Sequence, residues 1–333
     1  MSRCLYAGTL ALPSETASEL AAEGIELVVN PYGRAPTEDE LVALLPDFDA
    51  VLAGPEPYTA SVIASSKRLK IIARTGVGYD KVDVGAATKN HVFVTWTPVP
   101  ELASSVADQA IALMLAVVKR TVQMNEDVRA GRWERQRWST EVGDLKGRTL
   151  GLLGLGRIGS EVATRATAFG MNVIYYDVVR MEQREKELPI RYVPIERLLA
   201  ESDVLSVHAP LTPETRNLIN EASLRLMKPS AILINTSRGE IVNERALAEA
   251  LEANRLAGAG LDVLAKEPPV EGHVFYRLGE RLPNLVLTGH VAFGSDTFRA
   301  MMKAACGDVR RALKGELPKY LLNPEAAAGT TGR

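Results

Sequence analysis

Short apolar runs alternate with stretches of helical apolar spacing along the first hundred residues. The apolar runs, each as long as a buried strand, are 5–7, 27–29, 51–53 and 70–74. Residues 15–22 and 37–45 instead carry apolar positions at helical spacing, and Pro36 with an acidic first turn marks the start of the second stretch. Strands that alternate with helices predict a parallel sheet covered by helices.

The segment Thr97-Pro98-Val99-Pro100 ends this alternation, and one long helix is predicted over residues 101–130. Its face of alanine, leucine and valine is too broad to cover only the edge of a sheet. Two interpretations stay open at this point. The face packs against a second subunit, or it bridges two parts of the same chain.

A second alternation of strands and helices begins at Arg148. Its predicted strands are 150–153, 171–176, 204–207, 231–234, 260–263 and 285–287. Its predicted helices are 158–169, 195–201, 220–226 and 244–252, and a helix over 296–313 returns to the first unit. The pattern predicts an α/β protein with two Rossmann- or flavodoxin-like, doubly wound parallel-sheet domains and a cleft between them. The predicted boundaries are 1–98 plus 292–323 for an outer domain, 99–291 for an inserted domain, and 324–333 for a disordered tail.

A glycine-rich turn opens the second alternation. Gly154, Gly156 and Gly159 follow the strand at 150–153 in the spacing G-x-G-x-x-G, and helical spacing begins directly after them. The first glycine permits a tight turn, the second lets a diphosphate approach the backbone, and the third lets helix and strand pack closely. Free amides at the start of the helix then face the diphosphate. Strand, glycines and helix in this order predict a dinucleotide site.

Asp177 stands at the end of the next strand, about 20 residues after the glycines, where this fold hydrogen-bonds an adenosine ribose. A carboxylate repels a 2′-phosphate, so the sequence favours NAD over NADP. Arg180 lies three residues further on and could weaken that exclusion.

Composition adds only exclusions. The chain has 333 residues, of which 46% are hydrophobic, and a formal net charge of −2, so neither nucleic acid nor an anionic membrane is an expected partner. No uninterrupted apolar run approaches the ~18 residues of a membrane span, and the first residues lack the apolar core of a signal peptide. Cys4 and Cys306 predict free thiols in a reducing cytoplasm, with neither a disulfide nor a metal site.

Three ionisable residues stand just after predicted strands of the inserted domain. Arg238, Glu267 and His290 follow the runs at 231–234, 260–263 and 285–287. Because ligands of open α/β sheets bind beyond the carboxyl ends of strands, all three are expected to face one crevice.

The chemistry of these three side chains fits hydride transfer on a 2-hydroxy acid. An arginine can bind a carboxylate and polarise the neighbouring carbonyl. A histidine can accept the hydroxyl proton as hydride leaves, since it titrates near neutral pH. A glutamate beside that imidazole can fix its orientation and favour its protonated form.

Six segments resemble D-isomer-specific 2-hydroxyacid dehydrogenases, and the resemblance covers nearly the whole chain up to the tail. They are 74–83 (RTGVGYDKVD), 154–159 (GLGRIG), 208–215 (HAPLTPET), 235–240 (NTSRGE), 261–268 (LDVLAKEP) and 289–292 (GHVA). Two positions depart from the family pattern. Gly289 stands where proline is frequent, and Asp108-Gln109 stands where Glu-His is common.

The resemblance implies that Arg238, Glu267 and His290 are catalytic and that the cofactor is NAD. Cofactor contacts are implied at Val77, Gly154, Gly156, Arg157, Ile158, Gly159, Asp177, Ala209, Thr236, Asp262 and Gly294. The substrate, a small 2-hydroxy or 2-keto acid, would contact Arg74, Arg238 and the backbone amides of Val77 and Gly78. The resemblance also implies a homodimer built around the helix that follows Pro98.

The leading prediction for the substrate is a 3-phosphoglycerate-like acid. Arg74 and the run 131–138 (GRWERQRW) are similar to phosphoglycerate dehydrogenases, although the C-terminal regulatory domain that many of them carry is not expected after Leu322. Glu56 would repel a phosphate, so an unphosphorylated acid such as hydroxypyruvate or glyoxylate is the alternative. A third interpretation is an NAD(H)-sensing interaction protein like the corepressors that share this scaffold, since such proteins can keep the same three residues.

Overall fold

The computed structural model describes residues 1–277 and 284–329. The chain divides into two compact units, one formed by residues 1–102 with the chain from Gly294 onward, the other by Ala103–Phe293. The changes of unit therefore lie within a few residues of the boundaries predicted at 98/99 and 291/292.

The first unit is a parallel five-stranded sheet with the strand order β2-β1-β3-β4-β5. Its strands are β1 (Ser2–Tyr6), β2 (Ile25–Val29), β3 (Ala50–Ala53), β4 (Ile71–Arg74) and β5 (Phe93–Thr95). Its helices are α1 (Glu15–Ala21), α2 (Glu38–Leu44), α3 (Ala60–Ser65), α4 (Val84–Lys89) and the last helix of the chain, α14 (Ser295–Leu313). Every residue of β3 and β4 is buried, as expected of central strands covered on both faces.

The second unit is a parallel seven-stranded sheet with the order β12-β11-β10-β9-β6-β7-β8. Its strands are β6 (Thr149–Leu153), β7 (Asn172–Tyr176), β8 (Ile190–Tyr192), β9 (Val204–Val207), β10 (Ile232–Asn235), β11 (Gly258–Leu261) and β12 (Leu285–Leu287). Its helices are α5 (Pro100–Val118), which starts at the edge of the first unit, α6 (Thr121–Arg129), α7 (Arg135–Glu141), α8 (Arg157–Ala168), α9 (Glu182–Glu187), α10 (Ile195–Glu201), α11 (Glu221–Leu226), α12 (Glu244–Glu252) and α13 (Val274–Arg277). The predicted fold class, two doubly wound parallel-sheet α/β domains, is confirmed.

The single long helix predicted over 101–130 is wrong. The chain leaves helical geometry at Arg120, which has a left-handed φ of 52°, and α6 starts only at Thr121. The Gly143 amide donates to the Val118 carbonyl at 2.9 Å, in the place where a continuing helix would supply the amide of residue 122. A contact from 25 residues away therefore ends α5.

Helix α5 is the one helix in the described part of the chain that is long and apolar enough to span a membrane. Its mean hydropathy is 1.5, and 56% of it is buried inside the structure. The core of the second unit includes Ala107, Leu113, Met114 and Val117 from this helix. Buried core helices meet the same length and composition criteria, so this finding is weak evidence for a membrane span.

Residues 324–329 do not form the predicted disordered tail. Pro324–Gly329 is a 3-10 helix, and Ala326 within it is fully buried. The preceding Asn323 fixes the segment, since its Oδ1 accepts from the Val94 amide at 2.8 Å and its Nδ2 donates to the Val92 carbonyl at 2.9 Å. Residues 330–333 of the predicted tail lie outside the described residues.

Candidate active site

The glycine-rich turn joins β6 to α8 and has little room for side chains at two of its glycines. Gly154 has a φ of 99°, and a Cβ atom there would lie 2.8 Å from the Ala209 amide nitrogen. A Cβ atom at Gly159 would lie 2.3 Å from the Gly154 carbonyl oxygen. At Gly156, by contrast, such an atom would meet none of the described residues within 4 Å. The middle glycine thus leaves open space beside the backbone, where the sequence places a diphosphate.

Asp177 directly follows β7, and its carboxylate reaches the glycine-rich turn. Its Oδ2 accepts a hydrogen bond from the Leu155 amide at 2.8 Å. The bond holds the acidic residue beside the turn, as the fold requires of a ribose-binding carboxylate. Arg157 and Ile158 begin α8 immediately after the turn.

Glu267 and His290 form a pair at the carboxyl ends of β11 and β12. The Nδ1 atom of His290 lies 2.5 Å from Oε2 of Glu267. The other carboxylate oxygen, Oε1, accepts from the Leu264 amide at 2.8 Å. The two side chains, of His290 and Glu267, are 42% and 34% exposed respectively, so solvent and small molecules can reach the pair.

The backbone also fixes the position of His290. Its φ of 55° is in the left-handed region, which is uncommon for residues other than glycine. Its amide donates to the Asp262 carbonyl at 2.8 Å, and this bond ties the histidine to the end of β11. The imidazole is therefore held at both its backbone and its Nδ1 atom.

Arg238 lies at the same edge of the sheet, after the adjacent strand β10. The Asn235 side-chain amide donates to the Arg238 carbonyl at 2.8 Å, and Nη1 of Arg238 donates to the Ser237 carbonyl at 2.8 Å. Burial raises the pKa of the Glu267 carboxyl. Its neighbours outweigh this effect and lower that pKa below its usual value, through the hydrogen bond and charge of His290, the Leu264 amide and the positive charge of Arg238. Glu267 is thus a carboxylate at neutral pH, and it interacts electrostatically with His290 and Arg238.

Comparison with known proteins identifies the family. The model of the D-isomer specific 2-hydroxyacid dehydrogenase NAD binding domain matches residues 111–292. A glyoxylate reductase from Korarchaeum cryptofilum is 43% identical over 296 residues, which cover 87% of this chain and 87% of the relative. The chain belongs to the D-isomer-specific 2-hydroxyacid dehydrogenases.

Solved structures agree with this dehydrogenase family over almost the full length. A crystal structure of a Thermus thermophilus protein has 38% identity and a TM-score of 0.85, covering 96% of this chain and 99% of its own. A glyoxylate reductase from Paecilomyes thermophila has 31% identity and a TM-score of 0.84, covering 97% and 98%. The chain is therefore an NAD-dependent D-2-hydroxyacid dehydrogenase, and its cofactor is NAD, as predicted.

Two buried oxygen atoms of the dehydrogenase fit NAD. Thr236 Oγ1 and Asp262 Oδ2 are buried without a hydrogen-bond partner among the described residues. Both belong to residues at which cofactor contacts were predicted, and buried polar atoms normally have a partner. The open space at Gly156 adds a third feature that suits this cofactor. Thr236, Asp262 and the turn would hold NAD, which supplies the hydride chemistry when bound.

Two residues that the sequence did not single out for a role orient Asp262. The Thr288 hydroxyl donates to Asp262 Oδ1 at 2.5 Å, and Nε2 of Gln109 donates to the Thr288 hydroxyl at 2.9 Å. Oδ2 of Asp262 takes no part in these bonds. The only signal in the sequence was the departure at Gln109, where the family commonly has histidine.

Glu244 on α12 supports the loop that carries Glu267, a role that no pattern in the sequence predicts. Its Oε1 accepts from the Ala265 amide at 2.8 Å, and its Oε2 lies 3.0 Å from Nε2 of His273. The remaining predicted contact in this unit, Ala209, is buried and accepts a hydrogen bond from the Ser237 hydroxyl through its carbonyl.

Four predicted contacts belong to the first unit, whereas the residues described above belong to the second. They are Arg74, Val77, Gly78 and Gly294. Arg74, at the end of β4, is buried, and its guanidinium donates to two backbone carbonyls, those of Ala53 and Gly78, each at 2.9 Å. It thereby holds the loop that contains Val77 and Gly78. Gly294 is the residue before the first turn of α14.

Glu56 lies in the same part of the first unit and is only 1% exposed. The Tyr58 hydroxyl donates to its Oε2 at 3.3 Å. Burial raises the pKa of Glu56 above its usual value, and the nearby charge of Arg74 opposes that rise. Arg74 therefore faces a buried acidic group as well as two carbonyls.

The glycine-rich turn allows a matched test of cofactor binding. We expect Gly156→Ala to leave the melting temperature within a few degrees of wild type, because its φ of −71° suits alanine and the added methyl meets open space. The same methyl would occupy space next to the diphosphate, so NADH affinity, measured by fluorescence titration, should fall about tenfold.

Gly159→Ala is the control, because its methyl would collide with the Gly154 carbonyl at 2.3 Å. It should lower the melting temperature as well as NADH affinity. Unchanged NADH binding in Gly156→Ala would contradict the placement of the diphosphate.

Proposed function

We propose that the enzyme reduces a small unphosphorylated 2-keto acid such as glyoxylate or hydroxypyruvate with NADH and, in reverse, oxidises the corresponding D-2-hydroxy acid. The observation that carries this choice of substrate is the environment of Arg74. Its guanidinium is buried and bonded to the Ala53 and Gly78 carbonyls, with the acidic Glu56 close enough to interact with it. Those bonds take up two of its five N–H donors, and a phosphate bound to the others would lie close to a buried carboxyl group.

The comparisons do not support the leading prediction of a 3-phosphoglycerate-like substrate. The relatives from Korarchaeum cryptofilum and Thermococcus litoralis, 43% and 41% identical, are both named glyoxylate reductase. They favour the alternative, and they favour an enzyme over the NAD(H)-sensing interaction protein.

His290 is the proton donor in the proposed reduction and the proton acceptor in oxidation. Its Nδ1 is occupied by Glu267, so Nε2 is the atom that faces substrate and transfers the proton to the carbonyl oxygen. Glu267 keeps the ring in this orientation through its contact with Nδ1.

Arg238 binds the substrate carboxylate and polarises the adjacent carbonyl. A guanidinium suits this task because its planar set of donors matches a carboxylate and it stays charged at every working pH. The amides of Val77 and Gly78, on the loop that Arg74 holds, are proposed substrate contacts of the first unit. With the proton on His290 and the charge on Arg238, the oxygen that becomes a hydroxyl is stabilised as hydride arrives.

A steady-state comparison of keto acids tests the substrate. We expect kcat/KM with NADH to be about a hundredfold higher for glyoxylate or hydroxypyruvate than for phosphohydroxypyruvate, since a badly paired buried polar group costs up to about 3 kcal/mol. A phosphorylated compound that equals or exceeds the other two would overturn the proposed substrate class. The absence of NADH consumption with every acid would overturn the activity itself.

We also propose that the enzyme works in the cytoplasm as a homodimer. Cys4 and Cys306 are free thiols, which supports a reducing compartment. An apolar groove of about 410 Å³ runs along α6 and α7, and its lining includes Met124, Val128, Trp138 and Trp133, the last of which is 80% exposed. A surface of this kind is typical of subunit contacts.

The dimer is tested by light scattering of wild type and Trp133→Asp. We expect the wild type to have twice the mass of one chain, and the variant to shift toward that of a single chain as a charge enters the apolar groove. A wild type of single-chain mass at micromolar concentration would exclude the proposed dimer.

A further inference from the structure

Arg180 is the cation that could undermine the choice of NAD over NADP. It lies on the loop after β7, three residues beyond Asp177, and the intervening Val178 and Val179 are exposed. In this fold an arginine near the end of the second strand can accommodate the 2′-phosphate of NADP. The state of its guanidinium therefore bears on cofactor selection.

The guanidinium of Arg180 is bound in a two-pronged ion pair with Glu185 on α9. Its Nε donates to Glu185 Oε1 at 2.8 Å, and its Nη2 donates to Oε2 at 2.7 Å. Such a parallel arrangement uses one of the two edges by which a guanidinium can bind a phosphate with two hydrogen bonds.

Glu185 is itself held in place by Tyr175, a buried residue of β7. The Tyr175 hydroxyl donates to Glu185 Oε1 at 2.7 Å and accepts from the Met181 amide at 2.8 Å. The hydrogen bonds from Arg180 and then from Tyr175 lower the pKa of Glu185 to about 2, so it is a carboxylate at any working pH. The strand, the loop and the helix thus share one hydrogen-bonded network.

We propose that Glu185 is a specificity-determining residue for the cofactor, because it holds Arg180 in a pair that excludes a 2′-phosphate. The proposal rests on the placement of the adenosine ribose at Asp177. Two carboxylates then act together. Asp177 repels the phosphate directly, and Glu185 withholds the arginine that would attract it.

Direct binding measurements on Glu185→Gln test the proposal. Dissociation constants for NADH and NADPH are measured by fluorescence titration of the full-length protein, together with kcat/KM for each cofactor. We expect the preference for NADH over NADPH to fall about fivefold in both readouts. This factor corresponds to the upper range of the interaction free energy of exposed ion pairs.

Two control variants isolate the role of Arg180. Glu187→Gln breaks an equivalent pair on the same helix, that with Arg184 at 2.8 Å, and should leave the preference unchanged. Arg180→Ala combined with Glu185→Gln should restore the wild-type preference, because no released arginine remains. Arg180→Ala alone should also leave it unchanged.

Three results would overturn the proposal. They are an unchanged preference in Glu185→Gln, a loosened preference that persists in the double variant, and a loss of NADPH affinity in Arg180→Ala alone, which would mean that Arg180 already contacts the phosphate. Failure of wild type to bind NADH would instead refute the cofactor site as a whole, so the two failures are distinguishable.

Discussion

Replacing His290 with asparagine is expected to lower kcat for keto-acid reduction by roughly 10²–10⁴-fold, the usual contribution of a positioned general acid. Asparagine is preferred to alanine because His290 has a φ of 55°, a conformation that asparagine tolerates better than most residues. The variant keeps the backbone bond to Asp262 and loses only the imidazole. Turnover is measured at saturating NADH, and NADH affinity by fluorescence titration should stay within about twofold of wild type.

His91→Asn is the matched control, since His91 is an exposed histidine with a φ of 58°. It makes the same substitution in the same backbone conformation, away from the proposed site. We expect it to retain full turnover. A His290→Asn enzyme with wild-type kcat would show that another group carries the proton.

Arg238→Lys is expected to lower kcat/KM for the 2-keto acid by roughly 10²–10³-fold, comparable to removing one donor from a site that stabilises a developing oxyanion. Lysine keeps the positive charge but presents a single ammonium in place of a planar set of donors, so it cannot grip a carboxylate and polarise its neighbouring carbonyl together. The effect should appear in both kcat and KM, with NADH affinity preserved.

Arg245→Lys provides the comparison, because Arg245 is an exposed arginine of the same unit, paired with Glu249 at 2.9 Å on the surface of α12. It should behave as wild type. A kcat/KM of Arg238→Lys within twofold of wild type would contradict binding of the substrate carboxylate by the planar donors of Arg238.

Much of the site was readable from the sequence because its signals are local. Arg238, Glu267 and His290 each follow a short apolar run, and parallel strands necessarily bring such positions to one edge of a sheet. The glycine spacing likewise predicts its own turn, since Gly154 and Gly159 are required by close contacts within a few residues or at the adjacent strand.

The errors arose where distant residues decide the outcome. The end of α5 depends on the Gly143 amide. The order of 324–329 depends on bonds from Asn323 to Val92 and Val94, more than 220 residues earlier. The bonds of Arg74 could not be predicted for the same reason. Its guanidinium is directed by the Ala53 carbonyl of the neighbouring strand, which sequence spacing does not reveal.

The bond from the His290 amide to the Asp262 carbonyl has a consequence for protein engineering. The side chain of Asp262 has an Oδ2 atom without a hydrogen-bond partner among the described residues, where a cofactor contact is predicted, while its main chain anchors the proposed proton donor. Because the bond joins two main-chain atoms, side chains at position 262 can be exchanged to change cofactor binding while the anchor of His290 is kept.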